Sequence, residues 1–274
     1  LLAASLLLWT SHRVRQLAPG VDLSNESANG KHFSVLRLDL TRASLDLYWK
    51  AADGLPLLTF ARLSHELERS HNRLIFATNA GIFAHGYVPL GLHVEDGQEL
   101  VPLNFGSGVG NFYMKPGGVF FIDPQGAHIV DSTHYPGTTQ TIRLATQSGP
   151  MLFIDGQINP QFRKDSNNAQ IRSGVGLLPH NQVVFVLSQE PVTFHQFASF
   201  FHDRLGCRQA LYLDGTISRV YPGEKPAAGV ESNFAGILVI SENAQRLPAR
   251  NSPGPDSQPV ANGDKNDPLH VEKP

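Results

Sequence analysis

Residues Phe33-Ser34-Val35-Leu36-Arg37-Leu38-Asp39-Leu40 and Leu45-Asp46-Leu47-Tyr48-Trp49 alternate apolar and polar side chains. Strand side chains point alternately to opposite faces, so these runs predict half-buried strands. Between Pro56 and His71, the residues Leu57, Phe60, Leu63 and Leu67 recur at the spacing of one helical face. Short apolar runs then follow closely, at 74–78, 90–94, 118–122, 127–130, 141–145, 151–154, 171–178 and 182–188. Each predicts a strand, and Asp96-Gly97 and Asp155-Gly156 are hairpin signals among them. A second helix is predicted from Thr193 as N-cap. Its apolar stripe is Phe194, Phe197, Ala198, Phe201 and Leu205, and Gly206 stops it. Strands at 209–213 and 236–240 complete the pattern.

Strands outnumber helices and do not alternate with them regularly, which excludes a doubly wound parallel sheet. The fold class expected is α+β: one domain with a large mixed, mostly antiparallel sheet and a few packed helices. The domain is expected to span 33–242, after a polar, turn-rich linker at 16–32. The apolar start, Leu1 to Trp9 followed by Arg13 and Arg15, reads as the remnant of a signal peptide or an N-terminal anchor over 1–15. It makes export, to the periplasm or beyond, the expected location, with a possible membrane anchor. An apolar helix packed on the body is the alternative. Residues 243–274, rich in Pro, Asn, Ser and charge, read as a disordered tail.

Composition narrows the functions. A chain of 274 residues with 41% hydrophobic residues can bury a full core. A net charge of -2 argues against nucleic acid as partner, because a phosphate backbone calls for a basic face. Cys207 is the only cysteine, so neither an internal disulfide nor a cysteine zinc site can form. The 12 histidines have no His-Glu-x-x-His spacing, and His195 and His202 are expected to pack beside a helix. Gly106-Ser107-Gly108-Val109-Gly110 lacks the Gly-Lys-Ser/Thr of a phosphate loop. No metal or other cofactor is expected.

The informative feature is where the strands stop. Runs end at Asn79-Ala80-Gly81, at Gln147-Ser148-Gly149-Pro150 and at Asp214-Gly215-Thr216, and Arg172-Ser173-Gly174 opens another strand. Glycine there would let the chain turn with positive φ or let a ligand approach the backbone. Amide, hydroxyl, guanidinium and carboxylate groups on rigid strand ends suit an oxygen-rich, anionic small molecule.

Taken in order, these motifs resemble the phosphodiester glycosidase family. Asn79-Ala80-Gly81-Ile82-Phe83 matches an Asn-Gly-Gly-Phe-Phe element, and Gln147 to Pro150 match Gln-Ser-Gly-Pro in full. Arg172 to Gly176 match an Arg before a glycine-containing strand, and Leu213 to Ser218 match Leu-Asp-Gly-Gly-x-Ser. Ala80 and Thr216 stand where the family has glycine. Pro89 to Val94 and Gly110 to Pro116 look like its bacterial envelope branch. The resemblance, over 33–241, implies a hydrolase that cleaves the sugar C1–O bond of a sugar-1-phosphodiester.

Weighed for that chemistry, Arg172 is the first candidate for the phosphate oxygens, with a structural ion pair as its alternative. Arg143 is second. Asp214 would act at the anomeric carbon, where an oxocarbenium-like charge develops, as nucleophile, base or electrostatic stabiliser. Asn79, Gln147 and Ser148 would orient substrate; Asn79 could equally form a turn with Gly81. Gly81, Gly149 and Gly215 would offer backbone N–H groups, and Thr216, Ser218 and Asn111 would line the site. Glu190 is the only candidate for a second carboxylate, with a solvated loop role as its alternative. A non-catalytic protein that binds anionic glycans on the same fold is the other functional reading.

Overall fold

The computed structural model describes residues 14–137, 141–215, 217–223 and 233–244. The expected signal remnant and tail fall, save their innermost residues, outside these, as does Thr216. Every strand pairing is antiparallel among the described residues.

The α+β class holds, but the sheet is divided rather than continuous. The largest sheet has six strands in the order β1 (Arg15–Ala18), β2 (Val21–Ala28), β3 (Lys31–Asp39), β16 (Gln182–Ser188), β15 (Ser173–Leu178) and β17 (Gln209–Asp214). A four-stranded sheet runs β18 (Val220–Tyr221), β5 (Asn72–Asn79), β19 (Ile237–Asn243) and β4 (Asp46–Tyr48). A five-stranded sheet runs β11 (Gly126–Asp131), β10 (Gly118–Asp123), β12 (Leu144–Ser148), β8 (His93–Glu95) and β9 (Gln98–Val101). Two small hairpins, β6 (Phe83–Ala84) with β7 (Val88–Pro89) and β13 (Phe153–Ile154) with β14 (Gln157–Ile158), lie between them. Both Asp-Gly turns form as expected, with positive φ at Asp96, Gly97, Asp155 and Gly156.

Residues 16–32 are not a linker: they form most of β1 and β2 and the start of β3. The reason lies in which residues β2 buries. Val21, Ser24 and Glu26 point inward, and Glu26 is tied to Arg37 at 2.6 Å. This partly buried ion pair lets a polar-looking segment belong to a core sheet.

The six-stranded sheet is covered on both faces. On one, Leu36, Leu38, Val175, Phe185 and Leu211 meet Phe76 and Leu238 of the four-stranded sheet and Phe120 and Leu144 of the five-stranded sheet. On the other, Val35, Val184 and Tyr212 meet α2 (Phe194–Ser199) and the π-helical turn Phe200–Arg204. The start of α2 obeys its sequence: Thr193 and Gln196 form a reciprocal capping box. Helix α1 (Phe60–Arg69) lays Leu63 and Leu67 on Leu74, Ala77 and Val239.

Two glycines of β15 decide how close α2 comes. A β-carbon on Gly176 would lie 2.8 Å from both Cys207 Sγ and the Phe201 ring. One on Gly174 would lie 3.0 Å from the Phe197 ring and from the Leu211 carbonyl. These glycines make room for helix aromatics rather than for a ligand. Burial pushes the Cys207 thiol up to about 12, which suits a packing residue rather than a nucleophile.

Candidate functional site

The ends of β5, β12, β15 and β17 meet, as the four motifs lead one to expect. Asn79 closes β5 and is 2% exposed. Its Nδ2 donates to Ser173 Oγ at 2.9 Å and to the Ala80 carbonyl at 3.2 Å. Its Oδ1 accepts from the Arg219 N–H at 3.3 Å. The Ser218 hydroxyl also donates to Ser173 Oγ, at 2.8 Å, leaving the Ser173 proton for the Asp214 carbonyl at 3.4 Å. The Ser148 hydroxyl donates to the Leu213 carbonyl at 2.8 Å. Asn79, Ser148, Ser173 and Ser218 are therefore braces that fix strand ends from within. Their polar atoms are spent on the protein.

The glycines at these ends do not take positive φ. The expectation of left-handed turns fails, and space is the reason for glycine instead. A β-carbon on Gly81 would sit 2.4 Å from the Gln147 carbonyl oxygen. One on Gly215 would sit 2.8 Å from the Tyr212 hydroxyl, and one on Gly149 would be 3.0 Å from the Phe112 carbonyl. Gly81 and Gly149 thus let strand ends approach other elements, and Gly215 leaves room for the Tyr212 hydroxyl of its own strand.

The reactive groups lie on the α2 side of this brace. Arg172 is 1% exposed. Its Nε donates to the Val192 carbonyl at 2.9 Å and an Nη2 proton goes to the Asn168 carbonyl at 3.0 Å. Its guanidinium carbon lies 3.6 Å from the Phe194 ring centre and 5.7 Å from that of Tyr212. No carboxylate pairs with it among the described residues. The structural ion pair weighed for it is thus not what holds it. Burial pulls its pKa below the ordinary arginine value, but a guanidinium remains charged.

Tyr212 and Asp214 stand two apart on β17, and a register shift in its pairing with β15 falls between them. The Tyr212 hydroxyl accepts from Asn111 Nδ2 at 3.2 Å. Burial, then the charge of Asp214, raises its pKa well above that of a free phenol, against a smaller opposing pull from Arg172. It stays protonated and can donate. Burial pushes Asp214 up to about 6, partly offset by the Gly215 N–H that donates to its Oδ1 at 2.6 Å. Arg172 and Asp214 each bear on Tyr212, so a cation, a protonated phenol and a carboxyl that titrates at about 6 are linked through that side chain.

Three expected residues are engaged elsewhere. Gln147 Oε1 accepts from the Leu92 and Asn104 N–H groups at 3.0 and 2.8 Å, and its Nε2 donates to the Asn104 carbonyl at 2.8 Å. It shapes the 90–104 loop. Arg143 lies before the far end of β12 and pairs with Asp46 at 2.8 Å. Glu190 is half exposed and accepts from the His32 N–H at 2.8 Å, with His32 Nδ1 at 2.6 Å. It is not a second carboxylate beside Asp214. Among the described residues, no cluster of His, Cys, Asp or Glu is placed to hold a metal ion.

Tyr212 is the residue that the sequence reading passed over. It counts as core by its pattern, and most of it is core. Its place two residues before Asp214 was the available signal, since a buried tyrosine hydroxyl needs polar company nearby.

The family model described as phosphodiester glycosidase matches residues 72–262. The protein YigE of Escherichia coli strain K12 is 41% identical over 175 residues, covering 64% of this chain and 68% of its own. Among solved structures, the zebrafish N-acetylglucosamine-1-phosphodiester alpha-N-acetylglucosaminidase catalytic domain, auto-inhibited by its pro-peptide, superposes with a TM-score of 0.59. That match has 14% identity and covers 84% of this chain and 88% of the other. A putative exported protein from Burkholderia pseudomallei K96243 matches with a TM-score of 0.53 and 11% identity over 77% of this chain and 74% of its own. At such identities the structural matches establish the fold. The chain belongs to the phosphodiester glycosidase family.

Proposed function

We propose that this member of the family hydrolyses the glycosidic bond of a sugar-1-phosphodiester in the bacterial envelope. The observation that carries the reading is Arg172: a buried guanidinium held by two carbonyls and an aromatic face, without a carboxylate partner among the described residues. An uncompensated buried cation is costly, and an anionic ligand relieves that cost. The phosphate of a diester is such a ligand, and a guanidinium binds it through two oxygens.

In this reading the phosphate lies against Arg172 and the Tyr212 hydroxyl, and the anomeric carbon lies beside Asp214. The C1–O bond breaks, and its electron pair leaves with the oxygen as a phosphate monoester. That leaving group needs little protonation. A water oxygen bonds to C1, and its proton passes to the ionised Asp214 carboxylate and on to solvent. The same carboxylate faces the oxocarbenium-like charge. A carboxyl titrating at about 6 is matched to base work near neutral pH. The exported Burkholderia relative and the apolar N-terminus support an envelope location.

One observation favours the non-catalytic alternative. Burial alone raises Asp214 and the Gly215 N–H opposes it, so no second carboxylate bears on it among the described residues. A panel of sugar-1-phosphodiesters, followed for release of free sugar, decides between them. Turnover abolished in Asp214→Asn supports the hydrolase. Binding that depends on Arg172 without turnover supports the glycan-binding protein.

A further inference from the structure

Residues 104–114 run from the end of β12 to Tyr212 and are held at both ends. At the start, Gln147 grips the Asn104 backbone by its N–H and its carbonyl, and Asn104 Nδ2 donates to the Leu90 carbonyl at 2.7 Å. At the far end, Gly110 turns the chain with a φ of 107°, in the region that favours glycine. The short 3-10 turn Asn111–Tyr113 follows, and the Met114 N–H closes it on the Asn111 carbonyl at 3.1 Å. Phe112 seats this turn. A β-carbon on Gly91 would lie 2.8 Å from its ring, and one on Gly149 would lie 3.0 Å from its carbonyl. Gln147 and Gly149, two residues of one motif, therefore fix the two ends of the segment that carries Asn111.

Asn111 reaches the proposed site directly. Its Nδ2 donates to the Tyr212 hydroxyl at 3.2 Å. Arg172 bears on the same hydroxyl. An amide NH2 group and a guanidinium donate and cannot accept, whereas a phenol has a single proton of its own to give. With Asn111 and Arg172 both offering protons to the oxygen, the phenolic proton is turned away from both of them. Without the Asn111 amide, the hydroxyl can rotate its proton into the place that the amide leaves. The direction of that proton is thus set by a residue about a hundred positions away in the chain, delivered by a segment that the Gln147–Gly149 strand end holds.

We propose that Asn111 is a positioning residue, which aims the Tyr212 proton at a phosphate oxygen of the substrate. The inference rests on the hydrolase reading above but has its own test. The kcat/KM for a sugar-1-phosphodiester is measured in wild type, Asn111→Ala, Tyr212→Phe and the double variant, each with an unaltered melting temperature. Asn111→Ala is expected to lose about tenfold when Tyr212 is present and less than about twofold once its hydroxyl is gone. A residue that only packs, or that touches substrate itself, loses the same in both backgrounds. That result overturns the proposal, as does no loss in either. Asn111→Asp keeps the side chain's shape but offers an acceptor that captures the Tyr212 proton, so its loss should exceed that of the alanine variant. A loss equal to or smaller than alanine's overturns the proposal as well. If no diester is cleaved, the hydrolase reading fails separately, and calorimetric titration of the same proteins with inorganic phosphate decides the role of Asn111. The same order of losses, vanishing in Tyr212→Phe, supports it. Phosphate that does not bind the wild-type protein, or losses equal in both backgrounds, overturn it.

Discussion

The guanidinium carbon of Arg172 lies 3.6 Å from the ring centre of Phe194, the first residue of α2. Phe194 is itself stacked on Phe162 at 4.8 Å. A flat cation on a flat, backed ring is held in one plane, and that plane directs its remaining N–H groups. Lysine keeps the charge but neither the plane nor both carbonyl bonds. Arg172→Lys is expected to cost about 1–3 kcal/mol in denaturant unfolding. It should also weaken phosphodiester binding about tenfold or more by calorimetry. Full affinity in a folded Arg172→Lys protein would sink the assignment of Arg172 to phosphate.

Asp214 gives a prediction with a definite sign. Its folded-state pKa, about 6, exceeds the ordinary aspartate value of 3.8, so the folded state binds the proton more tightly. Ionising it therefore opposes folding: stability from this group falls as pH rises from about 4 to about 6 and stays lowered above. Asp214→Asn removes that penalty, of order 2 kcal/mol. Melting curves should show the variant more stable than wild type at pH 7.5 and nearly equal at pH 3.5. Its turnover should fall at least about a hundredfold, while wild-type kcat/KM should rise through pH 6. A variant less stable at both pH values contradicts the burial penalty.

Tyr212→Phe separates the hydroxyl from the ring. The ring contact with Phe194 at 4.9 Å survives, while the hydroxyl's interactions with Asn111 and Arg172 are lost. Stability should change by about 1 kcal/mol or less. Turnover should drop about tenfold, because the phenolic proton is taken from the phosphate. Unchanged kinetics in a folded variant would reduce Tyr212 to packing.

Gly81→Ala tests the brace itself. The new methyl would sit 2.4 Å from the Gln147 carbonyl oxygen, a backbone atom that cannot swing aside. The expected loss is about 1–3 kcal/mol, read by chemical denaturation. A neutral Gly81→Ala would mean that the β5 and β12 ends are less rigidly fixed than their hydrogen bonds imply.

Much of this arrangement was legible in the sequence, for identifiable reasons. Strands 182–188 and 209–213 announce themselves by unbroken apolar runs, and the capping box at Thr193 by residue type. The convergence of Asn79, Ser148, Arg172 and Asp214 followed from motif order. What stayed hidden depends on partners far along the chain. Gln147 reads as a free amide until the Asn104 backbone is seen against it. Glu26 reads as solvated until Arg37 arrives from the next strand. Tyr212 reads as core because its ring is core, and only its last atom belongs to the site.

The pairing of β3 with β16, seven consecutive partners from Phe33–Ser188 to Asp39–Gln182, bears on where this protein can be cut. The family match begins at residue 72, beyond β3. An expression fragment chosen from that match would strip the neighbour from β16 and leave a long, apolar row of unpaired N–H and C=O groups. Such a row adds strands from other copies. The stretch that the family model matches is thus shorter than the unit that folds, and a fragment meant to keep the large sheet has to begin before β1.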